Sequence, residues 1–147
     1  MHFMSRFSEL GLALLRIVAG LLFMQHGVQK LFGWFGGMGA PGATAELFSM
    51  MGLAGVLETF GGLLIVLGLF TRPVAFVLAG EMAVAYFMAH LPQGPVPLLN
   101  GGELAVLYCF IYLFFATNGP GQFSLDAMMG RNRSDARDAN LAREGVH

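Results

Sequence analysis

The sequence predicts an all-α integral membrane protein, a four-helix bundle with its N- and C-termini in the cytoplasm. Three observations lead to this fold class. Of the 147 residues, 56% are hydrophobic and only 12% are charged, whereas soluble domains carry about 25% charged residues. Turns rich in proline and glycine divide the apolar sequence into four segments. The cations outside these segments all fall on one side of the predicted bundle.

The first predicted span covers residues 10–33. It is longer than the roughly 7–15 apolar residues of a signal peptide, so we interpret it as a retained helix. It also exceeds the roughly 20 residues needed to cross a ~30 Å hydrocarbon layer. The span nevertheless contains Arg16, His26 and Lys30. Because Arg or Lys at bilayer depth costs at least ~2.5–3.5 kcal/mol on insertion scales, these side chains need polar partners on other helices.

The other three predicted spans are bounded by helix-breaking residues and cover, in order, residues 48–70, 73–91 and 99–117. Thr71-Arg72-Pro73 separates the second span from the third, since proline cannot continue a helix but can begin one. The proline-rich segment from Pro92 to Pro97 separates the third span from the fourth.

The C-terminal part of the chain changes in character. The turn Asn118–Gly121 closes the fourth span, and Ser124 is predicted to cap a short helix through Met129. Residues 1–130 therefore form one four-helix domain. Residues 131–147 are polar, without helical periodicity, and are predicted to be a disordered cytoplasmic tail.

The arginine and lysine distribution predicts the orientation, because cytoplasmic loops carry an excess of these residues. With four spans, the N-terminus, the second loop and the tail share one side. The loop and tail cations all lie there: Arg6, Arg72, Arg131, Arg133, Arg137 and Arg143. We therefore expect cytoplasmic termini and a multi-pass protein of a bacterial-type inner (plasma) membrane, in contact with lipid. The net charge of −1 gives no electrostatic argument for nucleic acid.

Helical spacing places ionisable residues on inward-facing surfaces. One face of the first span carries Arg16, Gly20, Gly27 and Lys30. In the second span Glu58 shares a face with Gly55, Gly61 and Gly62, where a neighbouring backbone can approach closely. We expect Arg16 to form a structural ion pair with Glu81, with Glu58 as a second candidate partner, since an unpaired charge in lipid is costly.

A second polar layer is predicted nearer the outer face. At ~1.5 Å per residue, we estimate a depth of about 22–25 Å from the cytoplasmic end of the span for His26, His90 and Glu103. Lys30 lies slightly beyond them. Histidine can exchange protons near neutral pH, which suits such a layer to proton transfer. Two simpler interpretations stay open: Lys30 reaches the outer headgroups, and His90 is an ordinary interfacial residue.

Metal and haem sites have no clear signature. Glu58 and Glu103 lack the Glu-x-x-His companions of a di-iron bundle. His26 and His90 lie at similar depth, but without the attachment or spacing signature of haem ligands; haem and flavin are left open. The single cysteine, Cys109, excludes an intrachain disulfide.

A series of short motifs between Leu10 and Asp126 repeats the order and spacing of a known family. They are Arg16, His26-Gly27, Lys30, Glu58, Gly61-Gly62, Leu67-Gly68-Leu69, Thr71-Arg72, Glu81, Gly102-Glu103, Asn118-Gly119-Pro120-Gly121 and Ser124-Leu125-Asp126. The chain thereby resembles the DoxX family of small four-span membrane proteins. The resemblance implies a four-helix bundle and, by family association, a role in quinone-linked redox chemistry. The family's name derives from a subunit of a terminal quinol oxidase, and its relatives include thiosulfate:quinone oxidoreductase components.

These observations lead to a functional hypothesis: a DoxX-like protein that binds a quinone or similar redox molecule in the outer half of its bundle. His26, Lys30 and His90 would bind the cofactor. The catalytic residues would be His26, Lys30, Glu58 and Glu103. His26 would exchange a proton with a carbonyl oxygen or hydrogen-bond to it, and Lys30 would polarise that oxygen. Glu58 and Glu103 would relay protons or balance charge.

Two alternatives belong to other classes of protein. The chain could be a non-catalytic membrane subunit or scaffold that docks a redox enzyme. It could also be a small-solute carrier, in which case four spans would require a homo-oligomer to enclose a path. A bound cofactor in the purified protein would favour the first hypothesis, and co-purification with a larger enzyme the scaffold.

Overall fold

The computed structural model describes residues 2–130, with side chains from Phe7 onward. All regular secondary structure in this part is helical, so the predicted fold class is confirmed. The five helices named here are α1 (His2–Phe32), α2 (Met50–Leu67), α3 (Thr71–Gln93), α4 (Pro97–Asn100) and α5 (Glu103–Asn118). The predicted tail, residues 131–147, lies outside the described residues.

Three helices are long and apolar enough to cross a membrane: Phe7–Phe32, Met50–Leu67 and Thr71–Gln93. The helix α5 is apolar but has 16 residues, about 24 Å at ~1.5 Å per residue. It begins at Glu103 rather than at residue 99, because Gly101 has a φ of +71° and ends α4. The orientation of the termini stays a prediction.

The bundle consists of two helical hairpins, since α1 packs mainly along α2 and α3 mainly along α5. Glycine allows the close approach of α1 and α2. A Cβ atom on Gly20 would lie 2.9 Å from the Gly62 carbonyl oxygen, and one on Gly27 would lie 2.8 Å from that of Gly55. The glycine-rich faces predicted on the first two spans therefore do pack against each other.

An aromatic core joins the two hairpins. The ring centroid of Phe23 on α1 lies 5.1 Å from that of Tyr108 and 5.0 Å from that of Tyr112, both on α5. All three side chains are buried. Large apolar side chains such as Phe76 and Phe110 are exposed on the outside of the bundle, as expected where helices contact lipid.

Two of the long helices contain a π-helical segment, Leu57–Gly61 in α2 and Tyr86–His90 in α3. A π turn accommodates an extra residue, and such segments are frequent at functional sites. In α2 this segment contains two buried residues, Glu58 and Gly61.

The predicted ion pair between Arg16 and Glu81 was wrong. Arg16 is 2% exposed, and its guanidinium donates to the carbonyl oxygens of Pro120 at 2.6 Å and Phe123 at 2.8 Å. No ion pair with Glu81 or Glu58 is formed. Both terminal nitrogens of the planar guanidinium thus donate to backbone carbonyls of the turn after α5, while its Nε–H has no partner within residues 7–130.

The same end of the bundle is held by other polar contacts to that turn. The carboxylate of Asp126 accepts the backbone N–H groups of Phe70 and Thr71, both at 2.8 Å, at the start of α3. Residues 125–130 are helical, and the Ser124 hydroxyl accepts the Ala127 N–H at 3.2 Å. The predicted cap of this short helix is thus confirmed. We call this region, where Arg16 meets the turn after α5, the Arg16 end of the bundle.

Candidate functional site

A buried ion pair lies between α1 and α2 near the middle of the bundle. The Lys30 ammonium contacts both carboxylate oxygens of Glu58, at 2.5 Å and 2.6 Å. Glu58 is 3% exposed and Lys30 16%. This is the one ion pair found among residues 7–130. Because charges inside a membrane are expensive, such a pair marks a candidate site.

The local sequence explains how these two side chains meet. Gly27 and Gly55 bring α1 and α2 close together around the pair. Lys30 lies in the last turn of α1, and its carbonyl oxygen accepts the Ala45 N–H at 2.7 Å, which holds the following loop against the helix end. Glu58 lies in the π-helical segment of α2 and is buried there.

The other two long helices contribute one polar side chain each. Glu81 lies on α3, which packs against the π-helical segment of α2 that carries Glu58. Tyr112 is fully buried on α5, which packs along α3. We call Lys30, Glu58, Glu81 and Tyr112 the polar core. Each of the four long helices therefore supplies one member.

Two members of the polar core have unused hydrogen-bonding capacity. Within residues 7–130, neither carboxylate oxygen of Glu81 has a hydrogen-bond partner, and nor does the Tyr112 hydroxyl. Buried polar atoms of this kind are rare and mark places where a proton, a water molecule or a ligand can act. The polar core contains two carboxyl groups and one amine. Uptake of one proton by a carboxylate would change its net charge from −1 to 0.

His26 lies beside the polar core rather than in it. Its side chain is exposed and lines a shallow cavity of ≈ 200 Å³ together with Gln25, Gln29 and Phe35. Phe35 has a φ of +54°, a left-handed conformation that is uncommon for a bulky residue and often occurs at functional sites. His26 lies one helical turn before Lys30 on α1, so the cavity adjoins the polar core.

His90 and Glu103 make their contacts elsewhere, so the predicted outer layer is not assembled as one cluster. The Nδ1 atom of His90 lies 3.0 Å from the Asn100 carbonyl oxygen, and its ring stacks on Tyr86. Glu103 is exposed in the first turn of α5, where a negative charge suits the helix dipole. These residues organise the loop around α4, and their assignment to the site stays a prediction.

Tyr112 was not predicted as a site residue. It lies in an apolar run, where its spacing four residues after Tyr108 indicates a buried face but not the partners of its hydroxyl. Glu81 was predicted as a structural partner of Arg16 and instead belongs to the polar core. For metals, no group of three or more His, Cys, Asp or Glu side chains within residues 2–130 could hold an ion.

Comparison with known proteins shows the family of this chain. The family model described as DoxX matches residues 11–91. An uncharacterised protein of Haemophilus influenzae is 41% identical over 133 residues, which cover 86% of this chain and 96% of that protein. The chain belongs to the DoxX family. The part of this DoxX-family chain that matches the model includes His26, Lys30, Glu58 and Glu81, but not Tyr112.

Two named relatives are similar over nearly their whole length. The chain is 30% identical to "Inner membrane protein YqjF" of Escherichia coli over 136 residues, 87% of this chain and 98% of the relative. It is 26% identical to "Putative oxidoreductase CatD" of Bacillus subtilis over 138 residues, 90% of this chain and 96% of the relative. No solved structure matches this DoxX-family chain.

Proposed function

We propose that this DoxX-family chain is an inner-membrane component of quinone-linked redox chemistry. In this proposal a quinone head group binds in the cavity beside His26 and exchanges protons with the polar core. The observation that carries the proposal is the buried Lys30–Glu58 pair next to that cavity. The names of the Escherichia coli and Bacillus subtilis relatives support the inner membrane and an oxidoreductase role, respectively.

The residues around the cavity fit a quinone ring chemically. A quinone presents two carbonyl oxygens, which accept hydrogen bonds, on a flat ring. Gln25, Gln29 and His26 carry N–H donors that can reach such oxygens, and the Phe35 ring offers an apolar surface for stacking. Concave sites that combine an aromatic wall with a few polar groups are typical of ligand binding.

When bound, the quinone would accept two electrons from a redox enzyme and two protons, becoming a quinol. His26 would donate a hydrogen bond from its ring nitrogen to a quinone oxygen and pass on the two protons one after the other. Glu58 would take up each proton from water and return it to His26, so that both residues are unchanged at the end. Because the Lys30 amine already contacts both oxygens of Glu58, we assign Lys30 the positioning of this carboxylate rather than contact with the quinone.

The first test is quinone binding by the purified protein. The chain is purified in mild detergent, small molecules are extracted for mass spectrometry, and a short-chain quinone is titrated into wild type and His26→Ala. We expect the variant to bind at least about tenfold more weakly, equivalent to about 1.4 kcal/mol, because it loses a hydrogen bond to the head group.

The matched control is His90→Ala, which removes a histidine from the α4 loop without touching the cavity. This control should bind as the wild type does. Equal affinity in wild type and His26→Ala, or no quinone binding by the wild type, would contradict the proposal. A chain that co-purifies with a redox enzyme but binds no quinone would instead be a docking subunit.

A further inference from the structure

The proposed exchange between His26 and Glu58 does not use Glu81 and Tyr112. Tyr112 is 0% exposed, and its hydroxyl has no hydrogen-bond partner within residues 7–130. Both carboxylate oxygens of Glu81 are also buried and lack a hydrogen-bond partner in this part of the chain. The two groups lie on α3 and α5, which pack along each other. Buried polar atoms are normally satisfied, and in proteins internal water often does this.

Along the helix axes, Glu81 lies at about the level of Glu58, and Tyr112 lies nearer the Arg16 end of the bundle. Along the helix axes, Tyr112 is about 9 Å from the end of α5 and Glu81 about 15 Å from the start of α3. Nearer the Arg16 end, Thr71 is 0% exposed and its hydroxyl also lacks a partner in the described part of the chain. Unsatisfied buried oxygens thus run from the Arg16 end to the middle of the bundle.

The charges around these groups favour an exchangeable proton. The titratable groups that act on Glu81 are Glu58 of α2 and Lys30 of α1. Tyr108 of α5 also acts on Tyr112. Lys30 is bound to Glu58, so Glu81 has no cation of its own in the described residues. A proton on Glu81 makes the polar core neutral, which a low-dielectric interior favours.

We propose that Glu81 and Tyr112 form a proton-entry arm that delivers protons from the Arg16 end to Glu58. Glu81 takes up a proton carried by internal water. The Tyr112 hydroxyl accepts one proton as it gives another to its neighbour, so it is unchanged after each transfer. The inference rests on the proposed function only for what happens to these protons after they reach Glu58. Proton exchange at Glu81 can nevertheless be measured without any quinone.

The test is infrared spectroscopy of the purified, lipid-reconstituted protein on transfer from H₂O to D₂O. A protonated carboxyl group gives a carbonyl band that shifts when its proton is replaced by deuterium. We expect such a band in wild type, its loss in Glu81→Gln, and its retention in Glu103→Gln, which changes an exposed carboxylate. A band that persists in Glu81→Gln overturns the proposal.

Tyr112→Phe provides a second variant that keeps the ring packing on Phe23 and removes only the hydroxyl. We expect an unchanged midpoint of thermal unfolding and exchange of the carboxyl proton slowed at least about tenfold, since a positioned relay group is lost. If the carboxyl proton of Tyr112→Phe exchanges at the wild-type rate, the relay role of the Tyr112 hydroxyl is overturned. Because no quinone is present, this result is independent of the His26→Ala binding experiment.

Discussion

The two cations on the inner face of α1 show opposite solutions to the same physical problem. Arg16 is 2% exposed and Lys30 16%, and both lie on a helix that is long and apolar enough to cross a membrane. The terminal nitrogens of Arg16 donate to backbone carbonyls, whereas the Lys30 ammonium contacts one carboxylate. Backbone carbonyls do not titrate, so the Arg16 contacts fix the fold. A carboxylate does titrate, so the Lys30 contact can take part in proton exchange. The kind of partner, rather than burial, therefore separates a structural cation from a functional one.

The largest effect is expected from breaking the Arg16 contacts. Arg16→Met keeps much of the side-chain volume but leaves the carbonyl oxygens of Pro120 and Phe123 without a donor. We expect a loss of about 3–5 kcal/mol in the free energy of unfolding, because two part-buried hydrogen bonds from a charged donor are lost and each contributes about 1.5–3 kcal/mol. Unfolding in detergent, followed by circular dichroism, measures it.

Arg72→Met is the matched control. Arg72 is exposed and donates to the Thr117 carbonyl oxygen at 2.6 Å, at the same end of the bundle. Its removal should cost less than about 1 kcal/mol, since exposed charged contacts contribute little. If Arg16→Met and Arg72→Met destabilise the protein equally, the Arg16 contacts are not the structural lock described here.

A smaller effect is expected from the Lys30–Glu58 pair. Glu58→Gln should cost about 1.5–3 kcal/mol of unfolding free energy, because the Lys30 ammonium stays buried without its counter-charge. The double variant Lys30→Met/Glu58→Leu should be more stable than Glu58→Gln, since apolar residues often replace a buried ion pair at little cost. It should nevertheless lose the proton exchange proposed for this site.

The unfolding measurement applied to wild type, both single variants and the double variant gives the coupling energy of the pair. A coupling close to zero would show that the two charges are not paired in the membrane. A double variant less stable than Glu58→Gln would show that the pair contributes to the fold as Arg16 does, and the comparison between the two cations would fail.

The smallest effect is expected at Asp126, which links the Arg16 end to the start of α3. Asp126→Ala removes the acceptor for the N–H groups of Phe70 and Thr71 and a charge that acts on Arg16. We expect a loss of about 1 kcal/mol, typical of a helix-end acceptor. Asp126→Asn should recover part of this loss. A loss as large as that of Arg16→Met would mean that the carboxylate is the true counter-charge of the guanidinium.

The sequence predicted the inward faces correctly because helical phase is a local property. Arg16 and Gly27 of α1, and Glu58 and Gly61 of α2, are all buried. Partners were harder to predict. Those of Arg16 are backbone oxygens more than 100 positions along the chain, and any residue type could supply them, so no side-chain pattern reports the contact.

A similar estimated depth did not predict which polar residues would meet. His26, His90 and Glu103 were expected to converge because they lie at a similar estimated depth. In the structure His26 is exposed beside the inward face of α1, the π-helical segment Tyr86–His90 changes the phase of α3, and Glu103 lies at a helix start. A prediction from depth alone omits these rotations.

The π-helical segment Leu57–Gly61 has a consequence for genetic variation. Deleting one codon there would leave a continuous apolar helix, so insertion into the membrane would proceed as before. Because a π turn accommodates an extra residue, its loss would leave a regular α-helix, and the two halves of α2 would keep their faces. If the lost residue is Thr59 or Phe60, however, Glu58 and Gly61 come to lie about 200° apart around the helix axis and can no longer both face inward. A cell carrying that deletion would hold a slightly shorter protein of similar hydropathy in its membrane, with the surroundings of the Lys30–Glu58 pair changed.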